Sequence, residues 1–195
     1  MPRPRDPDID RAVVDACVAL LDEVGRAGLT RAAVARRAGV SLPAVNRRFD
    51  DVDDILLAVA STPGHVDEQD AAEDLRAFLV RTLRRMARTF AAGGVRRPAA
   101  ELLAASAGDE RIEKAFGAAL ADVRATGTAL VLQAQAEGAV AADVTPDLLL
   151  DLAIGAPYYR LLWRGEAIAV ADVEPLVDTV LRGCAPPPGR TPGGG

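Results

Sequence analysis

The sequence predicts an all-α protein with a small N-terminal domain of three or four helices and a larger C-terminal helical domain. Apolar residues recur at intervals of three and four along nearly the whole chain, which is typical of helices with one buried face. Capping residues, glycines and prolines divide this pattern into about nine segments of helical length. The chain has 195 residues and half are apolar, so both domains have enough material for a core.

The N-terminal domain is expected to begin with a helix from Ile9 to about Val24, ending near Gly25 or Gly28. A fourth helix should follow Asp50 or Asp51, either of which is a good N-cap. Between these helices lies a shorter pair, and the first helix should pack across it.

The short pair is residues 29–49, LTRAAVARRAGVSLPAVNRRF. Thr30 and Ser41 are suitable N-caps, and Pro43 falls in the first turn of the second helix, where its missing amide hydrogen costs little. Gly39 lies where the first helix must end in a left-handed conformation. Two short helices joined by such a turn form the helix-turn-helix pattern of DNA-binding proteins, although a plain helical hairpin with a solvated arginine face has the same pattern.

The charge distribution favours DNA binding by this pair. The whole chain has a net charge of -5, but residues 26–49 contain six arginines and no acidic residue. Charge acts on phosphates only within a Debye length of about 8 Å, so the local excess is what matters. Asn46, Arg47 and Arg48 suit the major groove, because Arg pairs with guanine or phosphate and Asn with adenine.

Arg3 and Arg5 precede the first helix in a segment that prolines keep extended. Such an arm can lie in the minor groove beside a helix that reads the major groove, and it can equally be a frayed terminus.

The domain boundary is expected where Pro63 and Gly64 break the helical pattern. The sequence therefore predicts a DNA-binding domain over 1–62, a ligand-binding and dimerisation domain over 63–184, and a disordered tail over 185–195. Gly117 and Gly127 interrupt a long helix in the larger domain, which indicates close helix packing or space for a ligand.

The eighth helix, which follows Thr145 and Pro146, is apolar nearly all round. A helix of this kind must be buried on both sides, here by its own domain and by a second subunit. We expect it to form a four-helix dimer interface with the ninth helix and their counterparts. The residues predicted for this interface are Leu150, Ile154, Leu161, Val173, Leu176, Val177 and Val180.

Large apolar residues on the inward-facing stripes are candidates for a ligand pocket, although residues at this spacing are more often plain core. The candidates are Phe78, Met86, Phe90, Leu103, Phe116, Leu120, Val123, Tyr158 and Trp163. Few charges line these stripes, so an apolar or aromatic effector is the hypothesis.

Enzymatic, metal-binding and membrane functions are not expected. The chain has no glycine-rich phosphate loop, no nucleophile with a histidine partner, and a single histidine, His65, without metal-ligand neighbours. No cofactor is therefore predicted. The sequence also lacks an uninterrupted apolar run of about 20 residues and an N-terminal signal peptide, so a cytoplasmic protein is expected.

Three segments resemble the tetracycline-repressor (TetR) family of transcriptional regulators, and the likeness extends over essentially the full chain. They are RPRDPDIDRAVVDACVALLDEVG, LTRAAVARRAGVSLPAVNRRFDDVDDILLA and LLLDLAIGAPYYRLLWRGE. The resemblance implies a homodimeric all-α repressor with a ligand cavity in the larger domain, in which ligand binding alters the separation of the two recognition helices.

The resemblance also implies DNA contacts. Thr30 and Ser41 would contact phosphates as helix caps, and Arg36 or Arg37 would add backbone contacts. The third helix would lie in the major groove. Its residues are Leu42, Pro43, Ala44, Val45, Asn46, Arg47 and Arg48.

Three positions depart from the family pattern. Leu42 stands where Lys is frequent, Asn46 where Tyr is usual, and Val52 where a phosphate-binding Lys commonly opens the fourth helix. Each lost phosphate contact weakens binding and lowers its salt dependence, so Arg47 and Arg48 should carry more of the affinity.

The function predicted from these features is a ligand-responsive transcriptional regulator, expected to be a repressor. It would bind a palindromic double-stranded DNA operator as a homodimer through the helix Leu42 to Phe49, and a small apolar or aromatic effector would release it. The alternative is a homodimeric small-molecule-binding or interaction protein whose DNA binding is weakened or lost.

Overall fold

The structure, a computed structural model, describes residues 7–61 and 74–187. Within these ranges every regular element is helical, which confirms the predicted all-α class. The N-terminal helices are α1 (Pro7–Val24), α2 (Arg31–Ala38), α3 (Leu42–Asn46) and α4 (Val52–Ala60). The remaining helices are α5 (Leu75–Ala91), α6 (Arg96–Ser106), α7 (Glu110–Ala136), α8 (Pro146–Tyr159) and α9 (Val173–Gly183).

Some predictions fall on residues that the structure does not describe. Arg3, Arg5 and His65 are among these residues, as is the predicted domain boundary at positions 62 and 63. The same holds for most of the predicted tail, since the described chain ends at residue 187.

The described helices form two compact units that interleave along the chain. The first unit contains residues 7–61 and 93–120, and the second contains 74–92 and 121–187. The predicted boundary places α6 and the start of α7 in the C-terminal domain, whereas they belong to the same compact unit as α1 to α4. The division into domains over 1–62 and 63–184 stays a prediction.

The core of the first unit is built on the apolar face of α1. Cys17 and Leu21 on that face are fully buried, and they belong to one cluster with Val34 of α2, Val45 of α3 and Ile55 of α4. Burial of this face is the main source of stability for helices as short as α2 and α3, which are marginal in isolation.

α6 is tied to the same unit by polar contacts. Arg97 of α6 donates through Nη1 to the backbone oxygens of Asp22 and Glu23, at 3.2 and 3.3 Å. These bonds satisfy carbonyls in the last turn of α1, which have no partner within the helix.

The second unit has its core between α5, α7, α8 and α9. Phe78 and Leu83 of α5 lie in one buried cluster with Leu150 of α8 and Val177 of α9. Gly127 of α7 is buried against this cluster. A Cβ atom at Gly127 would lie 2.9 Å from Leu150 Cδ2 and 3.0 Å from Phe78 Cε1, so the predicted close helix packing is confirmed at this position.

Ion pairs on the surface of the second unit join the same helices. Arg76 of α5 pairs with Asp178 at 2.8 Å and with Glu174 at 3.1 Å, both on α9. The Arg76 guanidinium holds the pKa of the Asp178 carboxyl below its usual value. Arg124 of α7 pairs with Asp151 of α8 at 3.1 Å.

Candidate functional site

The predicted caps of the helix-turn-helix pair are confirmed. The Thr30 hydroxyl accepts a hydrogen bond from Ala33 N at 3.1 Å, and the Ser41 hydroxyl accepts one from Ala44 N at 3.3 Å. Gly39 has a φ of 69°, the left-handed conformation expected at the end of α2. Local capping chemistry therefore fixes where both helices begin and how the chain turns between them.

The predicted extent of α3 is wrong at its C-terminal end. Regular α-helix stops at Asn46, although a bond from Phe49 N to Val45 O at 3.0 Å adds one further turn. The physical reason lies in Phe49, whose ring is buried in the core of the first unit. Arg31 of α2 donates to Phe49 O at 3.0 Å, which holds the backbone of this residue at the end of the turn.

Most residues predicted to contact DNA are exposed along α2 and α3. The exposed ones are Thr30, Arg36, Arg37, Ser41, Leu42, Pro43, Asn46 and Arg47. The prediction that Ala44 contacts DNA needs correction, because Ala44 is only 6% exposed and packs into the first unit. Ala44 and Val45 anchor α3, and the polar residues after them remain available.

The arginines of residues 26–49 are less free than the sequence indicates. Arg26 pairs with Asp53 at 2.5 Å, and Arg37 pairs with Glu23 at 2.8 Å. Arg48 pairs through Nε with Asp10 of α1 at 2.9 Å, and its side chain is only 12% exposed. Three of the six positive charges therefore have acidic partners that lie outside residues 26–49.

Arg36 and Arg47 remain as exposed side chains on the two helices. Arg31, which the sequence predicts to face outward with the other arginines, is half-buried and donates to the backbone oxygen of Phe49. The basic surface thus consists of a few charges, and its electrostatic attraction for phosphates depends mainly on Arg36 and Arg47.

The nine predicted pocket residues do not converge in one unit. Phe78 and Phe90 are buried in the second unit, where Phe90 packs edge-to-face on Tyr158 with ring centroids 5.5 Å apart. Burial raises the pKa of the Tyr158 hydroxyl. Met86 and Val123 are half-buried beside the same core.

The other four pocket candidates do not face inward as predicted. Leu103, Phe116 and Leu120 are exposed on the first unit, and Trp163 is exposed on the second, at 70%. For Phe116 and Leu120 the sequence pattern misled because most residues of α7 are apolar, so spacing alone does not identify its inner face. The ligand pocket stays a prediction.

Two cavities are described, and neither is lined by a predicted pocket residue. One, of about 360 Å³, lies in the first unit between Asp10, Arg48, Phe49 and α4. The other, of about 210 Å³, lies in the second unit between the start of α5 and the end of α7.

The residues predicted for the dimer interface mostly face the core of their own unit. Leu150, Leu161, Val173 and Val177 are buried within the single chain. The remaining three predicted residues, Ile154, Leu176 and Val180, are half-buried and packed on the core. The side of α8 predicted for a second subunit is therefore the inner side.

The opposite side of α8 and of the turn after it is exposed, and we refer to it as the outer face of α8. It consists of Leu148, Leu152, Tyr159 and Trp163. The Tyr159 and Trp163 rings stack with centroids 6.2 Å apart, which a π-helical turn at Arg160–Arg164 makes possible by continuing the helix. Large aromatic residues at this exposure are unusual and are enriched at protein interfaces.

The remaining features concern metal binding, the two cysteines and membrane insertion. In residues 7–61 and 74–187 no group of three or more His, Cys, Asp or Glu side chains is placed to hold a metal ion. Cys17 and Cys184 are both buried free thiols, and burial raises the pKa of the Cys17 thiol to about 12. One described helix, α7, is long and apolar enough to cross a membrane by length and composition alone.

Two family models match the chain, and together they span the described residues almost completely. Residues 13–59 match the model for bacterial regulatory proteins of the tetR family. Residues 66–180 match the model for the tetracyclin repressor-like C-terminal domain. The chain belongs to the TetR family. It is a DNA-binding transcription regulator with a helix-turn-helix fold, and α7 is part of its C-terminal domain.

Solved structures agree with this TetR-family fold. The fatty acid degradation regulator FadR from Bacillus halodurans has a TM-score of 0.72 at 17% identity, covering 92% of this chain and 97% of that one. A TetR-family regulator from Rhodococcus sp. has a TM-score of 0.69 at 19% identity, covering 90% and 98%. SmeT in complex with triclosan has a TM-score of 0.62 at 18% identity, covering 95% and 96%. No curated protein matches the sequence.

Proposed function

We propose that this TetR-family protein is a ligand-responsive repressor that binds a palindromic operator as a homodimer in the cytoplasm. The observation that carries this proposal is the presentation of α3: its apolar residues Ala44 and Val45 are buried, while Asn46 and Arg47 are exposed. An exposed amide and guanidinium on a short capped helix are what major-groove recognition requires.

The proposed DNA contacts divide into two kinds. Thr30, Ser41 and Arg36 are assigned to phosphates, which position the protein without reading sequence. Asn46 and Arg47 are assigned to base edges or adjoining phosphates. With few free charges, we expect the affinity to depend strongly on Arg47.

The proposed dimer forms through the outer face of α8. Two subunits that meet there would bury Leu152 and the stacked Tyr159 and Trp163, which are otherwise exposed to water. A symmetric dimer also provides the two α3 helices that a palindromic operator needs.

The proposed effector is small and apolar or aromatic. It is supported by the apolar surroundings of Phe78, Phe90 and Tyr158 in the second unit. The likeness to SmeT, which was solved with triclosan, is consistent with an aromatic ligand. No catalytic role is proposed.

A second function deserves a test because three of the six arginines in residues 26–49 are ion-paired. That observation favours a homodimeric small-molecule-binding or interaction protein whose DNA binding is weakened or lost. The two functions differ in whether the protein binds its own upstream DNA specifically.

The deciding experiment is a fluorescence anisotropy titration of the full-length protein with duplexes from the region upstream of its own gene, at two salt concentrations. Because the homodimer carries two copies of Arg47, Arg47→Ala should lower the affinity by about tenfold or more and reduce the log-log salt slope by nearly two. Arg88→Ala, an exposed arginine on α5, is the matched control and should leave binding unchanged. If neither these duplexes nor a random-sequence library binds at low salt, the repressor function is overturned and the second function is favoured.

A further inference from the structure

We propose that Arg48 is a positioning residue for α3 and not a DNA contact, and that its ion pair with Asp10 sets the orientation of α3 on α1. The inference rests on the proposed DNA-binding function. It assigns different roles to two neighbouring arginines that the sequence alone makes equivalent.

The contacts of Arg48 all run back into the protein. Its Nε lies 2.9 Å from Asp10 Oδ1, and its Nη1 donates to Ala44 O at 3.2 Å. Both Nε and Oδ1 are shielded from water, and neither forms a hydrogen bond in the described structure, so the contact between them is an ion pair. The pair therefore links α1 to the backbone of α3 in a place where solvent screens the charges weakly.

Arg47 differs from Arg48 in its exposure to solvent. Its side chain is exposed, whereas that of Arg48 is only 12% exposed. For Arg48 to reach a phosphate, its Nε would have to leave Asp10 Oδ1, which is shielded from water although the Asp10 side chain as a whole is 41% exposed. Arg47 needs no such rearrangement.

Packing alone does not hold the Arg48 side chain in place. A cavity of about 360 Å³ lies beside it, lined also by Phe49, Leu57 and Ala58. This space gives the guanidinium room to adopt other rotamers, so the Asp10 carboxylate and the hydrogen bond to Ala44 O together select the observed one.

α3 needs such a support because the regular helix has only five residues. Its own hydrogen bonds are too few to make it rigid. Arg31 fixes the carbonyl of Phe49 from α2, and Arg48 fixes the same end of α3 to α1. The two side chains together hold the C-terminal end of α3, from which Asn46 and Arg47 project.

The test compares four variants of the full-length protein on the upstream duplex: Asp10→Asn, Arg48→Met, the charge swap Asp10→Arg with Arg48→Asp, and Arg47→Ala. We expect Asp10→Asn and Arg48→Met each to weaken binding by about tenfold with an unchanged salt slope, because no phosphate contact is lost. The swap should recover most of the affinity, and Arg47→Ala should lower the slope by nearly two, because the dimer loses one contact in each subunit.

The opposite pattern would overturn the inference. If Arg48→Met lowers the salt slope of the dimer by nearly two while Asp10→Asn leaves the affinity unchanged or raises it, Arg48 contacts phosphate directly. Failure of the swap to recover any affinity, with both single variants weakened, would also count against orientation by this pair.

Hydrogen exchange separates this inference from the proposed function. If the unaltered protein binds no DNA, the proposed function fails, but the pair can still be tested in the free protein. Asp10→Asn should speed amide exchange in residues 44–49 severalfold and leave α5 and α9 unchanged. Unchanged exchange in residues 44–49 would refute the positioning role.

Discussion

α3 and α8 expose opposite chemistry, although both have a buried apolar side. α3 buries Ala44 and Val45 and presents Asn46 and Arg47 to solvent. α8 buries Leu149 and Leu150 and still presents its outer face, which contains Leu152. One helix is suited to a charged, hydrated partner and the other to an apolar one.

Because of this difference, binding at the two surfaces should respond differently to salt and to the apolar area that is buried. Binding through α3 should fall steeply with salt, since it depends on a few charges near phosphates. Association through the outer face of α8 should depend on buried apolar area and respond little to salt. Each of the following variants alters one side of α3 or α8, directly or through a residue packed against it, and is paired with a matched reference variant.

The largest effect is expected from Leu152→Asp. This change places a carboxylate in the centre of the outer face of α8, where dimer formation would remove it from water. The dimer dissociation constant should rise on the order of 100-fold. Analytical ultracentrifugation at several concentrations measures this, and operator affinity should fall in parallel, because a lone subunit binds one half-site.

Leu132→Asp on α7 is the matched control, since Leu132 is 53% exposed and Leu152 is 51% exposed. It should leave the dimer intact. Equal effects of the two substitutions would mean that the interface extends over α7, and no effect of Leu152→Asp would remove the outer face of α8 as the dimer surface.

The two helices were not equally predictable from sequence. Thr30, Gly39 and Ser41 act on residues within a few positions of themselves, so the start of α2, the turn and the start of α3 could be predicted. The partner of Arg48 could not, because Asp10 is distant in sequence and on another helix. The residue types predict that residues 26–49 are basic, but they do not show which of the arginines are ion-paired within the protein.

α8 shows a second limit. A helix that is apolar on all sides has no periodic signal to distinguish its inner face from its outer face. Leu150 was therefore predicted to face a second subunit, whereas it packs against Gly127. The glycine was the available signal, because a residue without a side chain inside a long helix often marks the point where another helix lies closest.

Gly127→Val tests the inner side of α8. The added side chain would meet Leu150 and Phe78, where even a Cβ lies within 3.0 Å of both. We expect a loss of about 1–3 kcal/mol in unfolding free energy, the usual cost of overpacking. Urea denaturation monitored by circular dichroism measures it.

Gly117→Val is the matched control in the same helix, since a Cβ at Gly117 meets nothing within 4 Å. It should be neutral or slightly stabilising, because any side chain restricts the unfolded chain more than glycine does. A similar loss for both variants would show that helix propensity, and not contact with α8, determines the effect at Gly127.

The smallest effect is expected from the two helix caps, which offer a closely matched comparison. The Ser41 hydroxyl accepts from Ala44 N and the Thr145 hydroxyl accepts from Leu148 N, each at 3.3 Å. Replacing either residue by Ala should cost about 1 kcal/mol of unfolding free energy. Only Ser41→Ala should also weaken DNA binding, because the five-residue α3 depends more on its cap than the 14-residue α8.

Ser41→Asp separates capping from phosphate contact in this last comparison. An aspartate caps a helix about as well as serine, so the stability lost in Ser41→Ala should be retained. Its carboxylate would nevertheless repel a phosphate, and operator affinity should fall further than in Ser41→Ala. If Ser41→Asp binds DNA as well as the unaltered protein, the N-terminus of α3 does not approach the phosphate backbone, and Ser41 acts on the helix alone.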